Sequence, residues 1–306
     1  MFSKLMAEEA YVSMFIGDSS RPGSLDGLRV LLHSLRRHDA RRPFVLMTVE
    51  PLRGEAAAAL QRAYPLRVVQ VPELRSTDAA CLTTLDARLG VGFTSFNVWN
   101  LTDYRKLVWL EADQLVLQPL DALWSSLDGP RDARVSRNVP AAAAAKTLLG
   151  PYSSCERGRK SSKFNTGVLL LRPSKKRYGY FVDALRGGKQ ANYTCRDGFQ
   201  TLWNRLMRGR VRCVERSFNC IAQRDLLAPR PSRHCLLGNA SVPHVAHFAG
   251  GANKPWAVPA SEGARRRREE SWAYSLWARE LRESRHGAVK WKALFDGSRG
   301  GISGHG

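Results

Sequence analysis

The triplet Glu111-Ala112-Asp113 sets two carboxylates one residue apart. Hard oxygen ligands of this kind suit Mg²⁺ or Mn²⁺ held beside a diphosphate. An acidic surface turn would look the same, so the flanking residues matter. Leu107-Val108-Trp109-Leu110 runs apolar straight into the triplet, and Leu115-Val116-Leu117 follows it. Such a run, without alternation, is the pattern of a strand buried on both faces. In open α/β sheets, ligands bind beyond the carboxyl ends of these strands. A second group lies downstream, where His247 closes a short apolar stretch and Gly250, Gly251 and Lys254 follow. Glycines let a backbone approach a phosphate, lysine adds a point charge, and histidine offers a metal nitrogen. A histidine in an apolar strand is otherwise a core residue. Asn165 stands in Phe164-Asn165-Thr166-Gly167, which reads as a tight turn ahead of another apolar run.

The elements that must position these residues follow from hydrophobic spacing. Strands are expected at 11–17, 44–47, 68–71 and 106–110. Between them, helices are expected at 28–38, 55–63 and 93–101, the first ending in Arg36-Arg37-His38, cations suited to a helix C-terminus. This alternation predicts an α/β fold with a mainly parallel central sheet and helices on both faces. Residues 128–163 read as a long, partly helical excursion or lid over the sheet edge, with the run Ala141–Ala145 inside it. Pro173-Ser174 opens a helix, and 199–207 is another. Residues 261–284 form a charged helix that packs on the body through Trp272, Leu276, Trp277 and Leu281. The organisation is thus one domain over 8–258, a helical extension over 259–290 and a disordered Gly/Ser-rich tail over 297–306.

The 306 residues are 43% hydrophobic, enough for a large α/β core. Against 27 acidic residues stand 48 Lys and Arg, a net charge of +21. That excess favours anionic partners such as nucleotide sugars, and allows weak association with a membrane surface. No basic motif is interleaved with aromatics, so no specific nucleic acid is implied. No stretch has the length of a membrane span, and the N-terminus lacks a signal-peptide core. The six cysteines have no C-x-x-C spacing, which argues against zinc, and free thiols are the default. Their even number, with sequons at Asn192 and Asn239, keeps a secretory lumen open. A third sequon, at Asn100, falls in a stretch read as helical and partly buried, and is discounted. The location reads as cytoplasmic as the sequence stands, or the Golgi lumen if an N-terminal anchor precedes it. The oligomeric state stays open, a dimer included.

Taken in order, these motifs resemble glycosyltransferase family 8, the retaining family that includes glycogenin and galactinol synthases. The resemblance runs from about Tyr11 to Trp256. Tyr104 to Trp124 resembles the family's strand, D-x-D motif and following segment. Phe164-Asn165-Thr166-Gly167 with Pro173-Ser174 resembles its F-N-[ST]-G…P-S motif, and Phe218-Asn219 a family Y-N. His247-Phe248 through Lys254-Pro255-Trp256 resembles its H-[FY]-x-G…K-P-W motif. The resemblance implies a single Rossmann-like GT-A domain, a UDP-sugar donor, Mn²⁺ or else Mg²⁺, and a carbohydrate, polyol or glycan acceptor. It implies Asp113 and His247 as metal ligands with Glu111 in the first D-x-D position, and places Ala112 with them at the donor. Gly250 and Lys254 would hold the diphosphate, and Gly17-Asp18 would meet the nucleoside. Asn165 and Gln200 would line the donor-sugar and acceptor pocket, and Asp197 would supply the family's catalytic carboxylate from a shifted register, unless that function is missing. Two departures stand out: Glu111 replaces the usual Asp, and the family's D-Q pair becomes Asp197-Gly198-Phe199-Gln200. The implied function is a metal-dependent hexosyltransferase. The alternative is a nucleotide-sugar-binding relative with weak or no transfer.

Overall fold

The computed structural model describes residues 7–21, 23–76, 90–125, 142–145, 164–187, 198–208, 211–221, 227–231, 233–250, 254–257 and 261–296. The chain opens with β1 (Ala7–Phe15), α1 (Asp26–His38), β2 (Phe44–Thr48), α2 (Glu55–Ala63) and β3 (Leu66–Gln70). After a 3₁₀ segment at Val91–Asn100 come β4 (Tyr104–Leu110), β5 (Gln114–Val116) and the short helix α3 (Asp121–Ser125). Strands β6 (Ala142–Ala145) and β7 (Val168–Leu171) precede α4 (Lys175–Leu185), α5 (Gly198–Leu206), β8 (Val211–Val214) and β9 (Val245–His247). The helices α6 (Glu262–Glu269) and α7 (Trp272–Asp296) follow.

Among the described residues, seven strands form one sheet in the order β3-β2-β1-β4-β7-β6-β8, and β5 pairs with β9 in a separate two-stranded ribbon. The pairs β1–β2, β2–β3, β1–β4 and β6–β8 are parallel, while β4–β7 and β6–β7 are antiparallel. The mainly parallel sheet is therefore present, with β7 entering in reverse. In β4, Leu107, Val108 and Leu110 are wholly buried and Trp109 nearly so, as the uninterrupted apolar run requires. Each such side chain contributes about 1.5–3 kcal/mol relative to exposure. Two separate apolar clusters use opposite faces of this strand: Leu107 and Trp109 face one, Val108 and Leu110 the other.

Three expectations need correction. Residues 93–101 were expected as an α-helix, but Val91–Asn100 is a 3₁₀ run. Phe93, Phe96 and Trp99 recur every third residue and are all fully buried. Three residues per turn align them on one face, against Phe181 and Trp203. The alanine run, expected within a partly helical excursion, supplies β6, where ladder pairing with β7 and β8 overrides alanine's helical preference. The rest of 128–163 lies outside the described residues, as do 297–306. The single charged helix is two helices. Ser271 divides them, its hydroxyl accepting from Tyr274 N at 3.3 Å as an N-cap of α7.

Helix α7 packs through Trp272, Ala273, Tyr274 and Trp277 onto a cluster that contains Leu115 and Phe248. These two residues flank the acidic triplet and His247 in sequence, so the C-terminal helix supports the floor beneath them. It also clasps α1: buried Glu280 meets His33 Nδ1 at 2.5 Å and accepts from Arg37 at 3.2 Å.

Candidate metal and diphosphate site

The two acidic residues leave β4 at its carboxyl end, while β5 pairs antiparallel with β9 so that Gln114 faces His247. The ribbon thereby brings His247 back across 133 residues of sequence to the triplet. Its Nε2 lies 3.1 Å from Glu111 Oε2 and 3.4 Å from Asp113 Oδ2. One ligand atom from each of Glu111, Asp113 and His247 falls within 4.8 Å of the others. Asp113 and His247 are buried and Glu111 is half-buried. Lys254 donates to Asp113 Oδ2 from the opposite loop.

The electrostatics follow from this crowding. Burial opposes the Asp113 charge, but His247 and Lys254 outweigh it and hold the carboxyl well below its ordinary range. Burial likewise opposes a charged His247 ring, yet Asp113 and Glu111 raise it to about 9. The residues fit a divalent cation. Among the described residues, His247 Nε2 is buried and faces only two carboxylate oxygens, Glu111 Oε2 and Asp113 Oδ2. An ion there would replace the ring proton and balance both charges.

Backbone geometry keeps the ring in place. A Cβ on Gly167 would stand 2.3 Å from His247 Cε1, so only glycine fits against its face. Glu111 N donates to Gly167 O at 3.1 Å, tying this turn to the triplet. Gly250 takes a left-handed φ of 88°, at no cost for glycine, two residues after Phe248 N donates to Asp113 O. Gly251 lies outside the described residues.

Asn165 and Gln200 meet directly, Asn165 Nδ2 donating to Gln200 Oε1 at 2.8 Å. Thr166 joins them to the acidic triplet, its hydroxyl 3.5 Å from Glu111 Oε1. Ala112 contributes its carbonyl, which with the Trp256 ring crowds Gly27 at the start of α1. Gly17 and Asp18 follow β1, whose carboxyl end shares an edge with that of its parallel neighbour β4. Asp18 binds Ser20 and Arg21 within its own turn. Asp197 lies outside the described residues. Phe199 turns away into the apolar cluster, where its ring fills the space a Gly92 side chain would need.

Sequence reasoning did not assign Asn219, Thr166, Gly167 and Gln114 to the site. The first three lie in the motifs quoted above, yet the polar contact that recruits each is long-range. Gln114, the cross-strand neighbour of His247, is fully buried, and both its amide atoms lack a hydrogen-bond partner among the described residues.

A family model, Glycosyl transferase family 8, matches residues 27–259. Mouse glycogenin-1 is 32% identical over 120 residues, 39% of this chain and 34% of the relative. The aligned part thus spans about a third of the glycogenin's length. Inositol phosphorylceramide glucuronosyltransferase 1 of Arabidopsis thaliana is 24% identical over 83% of this chain and 44% of its own. The solved structure of the galactosyltransferase LgtC with donor and acceptor sugar analogs superposes with a TM-score of 0.56 at 18% identity. That match covers 89% of this chain and 95% of LgtC, and shows the GT-A fold. Because the family model takes in the acidic triplet, the Phe164–Gly167 turn, His247 and Lys254 in one continuous match, the chain belongs to glycosyltransferase family 8.

Proposed function

We propose that the chain is a metal-dependent, retaining hexosyltransferase. It would move a hexose from a nucleotide sugar, UDP-linked, to a hydroxyl of a carbohydrate, polyol or glycan. One observation carries the reading: Glu111, Asp113 and His247 converge on one point, and Lys254 reaches the same carboxylate. Carboxylate oxygens with one imidazole nitrogen suit Mn²⁺, and less closely Mg²⁺. Bound there, the metal would supply charge neutralisation for the departing diphosphate. Lys254 adds a fixed cation where negative charge grows as the glycosidic bond breaks. Asn165 and Gln200 hold the adjoining polar wall, where donor sugar and acceptor hydroxyl would meet. The names of the relatives agree with a sugar donor and acceptor.

A second reading rests on Phe199. It stands where the family resemblance leads one to expect an acid beside Gln200, and it is half-buried against the apolar cluster. A nucleotide-sugar-binding protein with little transfer would result if that carboxylate is indispensable.

The Cys220–Cys235 disulfide corrects the default of free thiols for this pair and favours an oxidising compartment, such as the Golgi lumen. The weak membrane-surface contact suggested by charge remains part of this proposal.

The deciding experiment is a donor-hydrolysis and binding screen across UDP- and GDP-sugars with Mn²⁺. Wild type should bind UDP much more tightly with Mn²⁺ than with EDTA, and Asp113→Ala should abolish the difference. Equal affinity in both buffers defeats the metal reading. Metal-dependent binding without turnover on any donor selects the second reading.

A further inference from the structure

Four side chains form a continuous hydrogen-bonded line between the candidate metal site and the sugar pocket. His247 Nδ1 is 2.8 Å from Asn219 Oδ1. Asn219 Nδ2 is 2.9 Å from Asn165 Oδ1, and Asn165 Nδ2 is 2.8 Å from Gln200 Oε1. Asn219 is fully buried and His247 nearly so, which keeps water from replacing these bonds.

The direction of every bond is fixed by two backbone groups that can only donate. Gly167 N–H reaches Asn165 Oδ1 at 2.8 Å, which makes that atom an acceptor. Asn219 must then turn its Nδ2 towards Asn165, leaving its own Oδ1 against His247. An oxygen facing the ring requires a proton on Nδ1, so the neutral ring carries its lone pair on Nε2. At the other end, Thr166 N–H reaches Gln200 Oε1 at 3.2 Å. Together with Asn165 Nδ2 this uses both lone pairs of that oxygen. Gln200 is left with only its NH₂ group to offer.

We infer that Asn219 is a positioning residue that locks His247 in the Nδ1–H tautomer, and that the same amide line turns Gln200 so that it presents N–H donors to the substrate. The second part deepens the proposed transferase reading. Gln200 acts there as a donor to a sugar or acceptor oxygen, and its carbonyl is not free to attack or to take a proton. Outer partners of metal-bound histidines commonly change metal affinity by about 10- to 100-fold when removed.

The test uses Mn²⁺ alone, without nucleotide. Calorimetry on Asn219→Ala should show Mn²⁺ affinity reduced by about 10- to 100-fold. Asn219→Asp still accepts the Nδ1 proton but sets a second oxygen against Asn165 Oδ1, so it should recover only part of that loss. In parallel, ¹H–¹⁵N spectra of the metal-free wild type, above the ring's titration, should show His247 as the Nδ1–H tautomer. A normally folded Asn219→Ala protein with wild-type Mn²⁺ affinity overturns the inference, and so does an Nε2–H tautomer. Should wild type bind no metal at all, the metal reading falls, while the spectra still decide the tautomer on their own.

Discussion

Lys254 donates to Asp113 Oδ2, and that same oxygen lies 3.4 Å from His247 Nε2. One carboxylate oxygen thus serves a half-buried ammonium and a buried imidazole at once. A divalent cation at the site must compete with Lys254 for it, and the freed ammonium becomes available to a diphosphate. Lys254→Ala should therefore keep or raise Mn²⁺ affinity in the absence of nucleotide, yet weaken UDP binding. Turnover should fall by roughly a hundredfold, the scale of losing one transition-state stabiliser. Calorimetry and steady-state kinetics read the two halves. Unchanged UDP affinity and unchanged kcat would remove Lys254 from the site.

Gly167→Ala should damage the site through shape alone. The added methyl would stand 2.3 Å from His247 Cε1 and 2.5 Å from Nδ1. Forcing an extra carbon into a packed site costs about 1–3 kcal/mol. The expected signature is a lowered melting temperature together with lost Mn²⁺ affinity. Gly179→Ala is the control, since a methyl added there would meet nothing within 4 Å and its helical position favours alanine. Identical melting and metal binding in both variants would contradict the crowding.

Acid should unfold the protein through a network remote from the site. Burial opposes the Asp39 charge, but Arg42, two backbone N–H groups and Tyr11 hold its carboxyl below the ordinary 3.8. Glu9 is likewise opposed by burial, and held below 4.5 by Arg42 and the wholly buried Lys106. Both folded-state values are depressed. Their stabilisation is complete above the ordinary values and is lost as the pH falls through the folded ones. Melting temperatures should drop between about pH 5 and pH 3, and Asp39→Asn should flatten that drop. A wild-type curve that is level across this range would sink the assignment.

An oxidising compartment makes covalent predictions as well. Asn239 is exposed within a turn closed by Ala240 N to Leu237 O at 3.2 Å. Passed through a secretory pathway, the protein should carry an N-glycan there, absent from Asn239→Gln. Asn100, discounted from sequence as partly buried, is exposed at the end of its 3₁₀ segment and should compete as a second acceptor. Non-reducing peptide mapping should recover Cys220 joined to Cys235. Alkylatable thiols at both positions would argue against this environment.

The sheet was legible because Tyr11-Val12, Phe44–Met47 and Leu107–Leu110 are apolar stretches, and burial on both faces leaves no other home for them. The metal residues were legible because Glu111 and Asp113 end such a run and His247 ends another. The line from His247 through Asn219 to Gln200 was not, because an asparagine in a turn and one in a relay have the same local sequence. Only the pairing of β5 with β9, and the return of β7 beside β4, puts them in reach. Phe93, Phe96 and Trp99 misled for a different reason: spacing by three fits both helix types, and packing against Phe181 and Trp203 selects the tighter one.

The clasp between Glu280 and His33 spans 247 residues of chain. Synthesis proceeds from the N-terminus, so α1 emerges from the ribosome long before the helix that covers it. Until α7 follows, Glu280 is missing beside His33, and the cluster that holds Val30, Leu115 and Phe248 lacks the cover of Trp272, Tyr274 and Trp277. Closing so long a loop comes late in any folding route, after the nearer contacts have formed. A nascent chain that has not yet made α7 therefore carries this apolar seam uncovered, the kind of surface that chaperones hold.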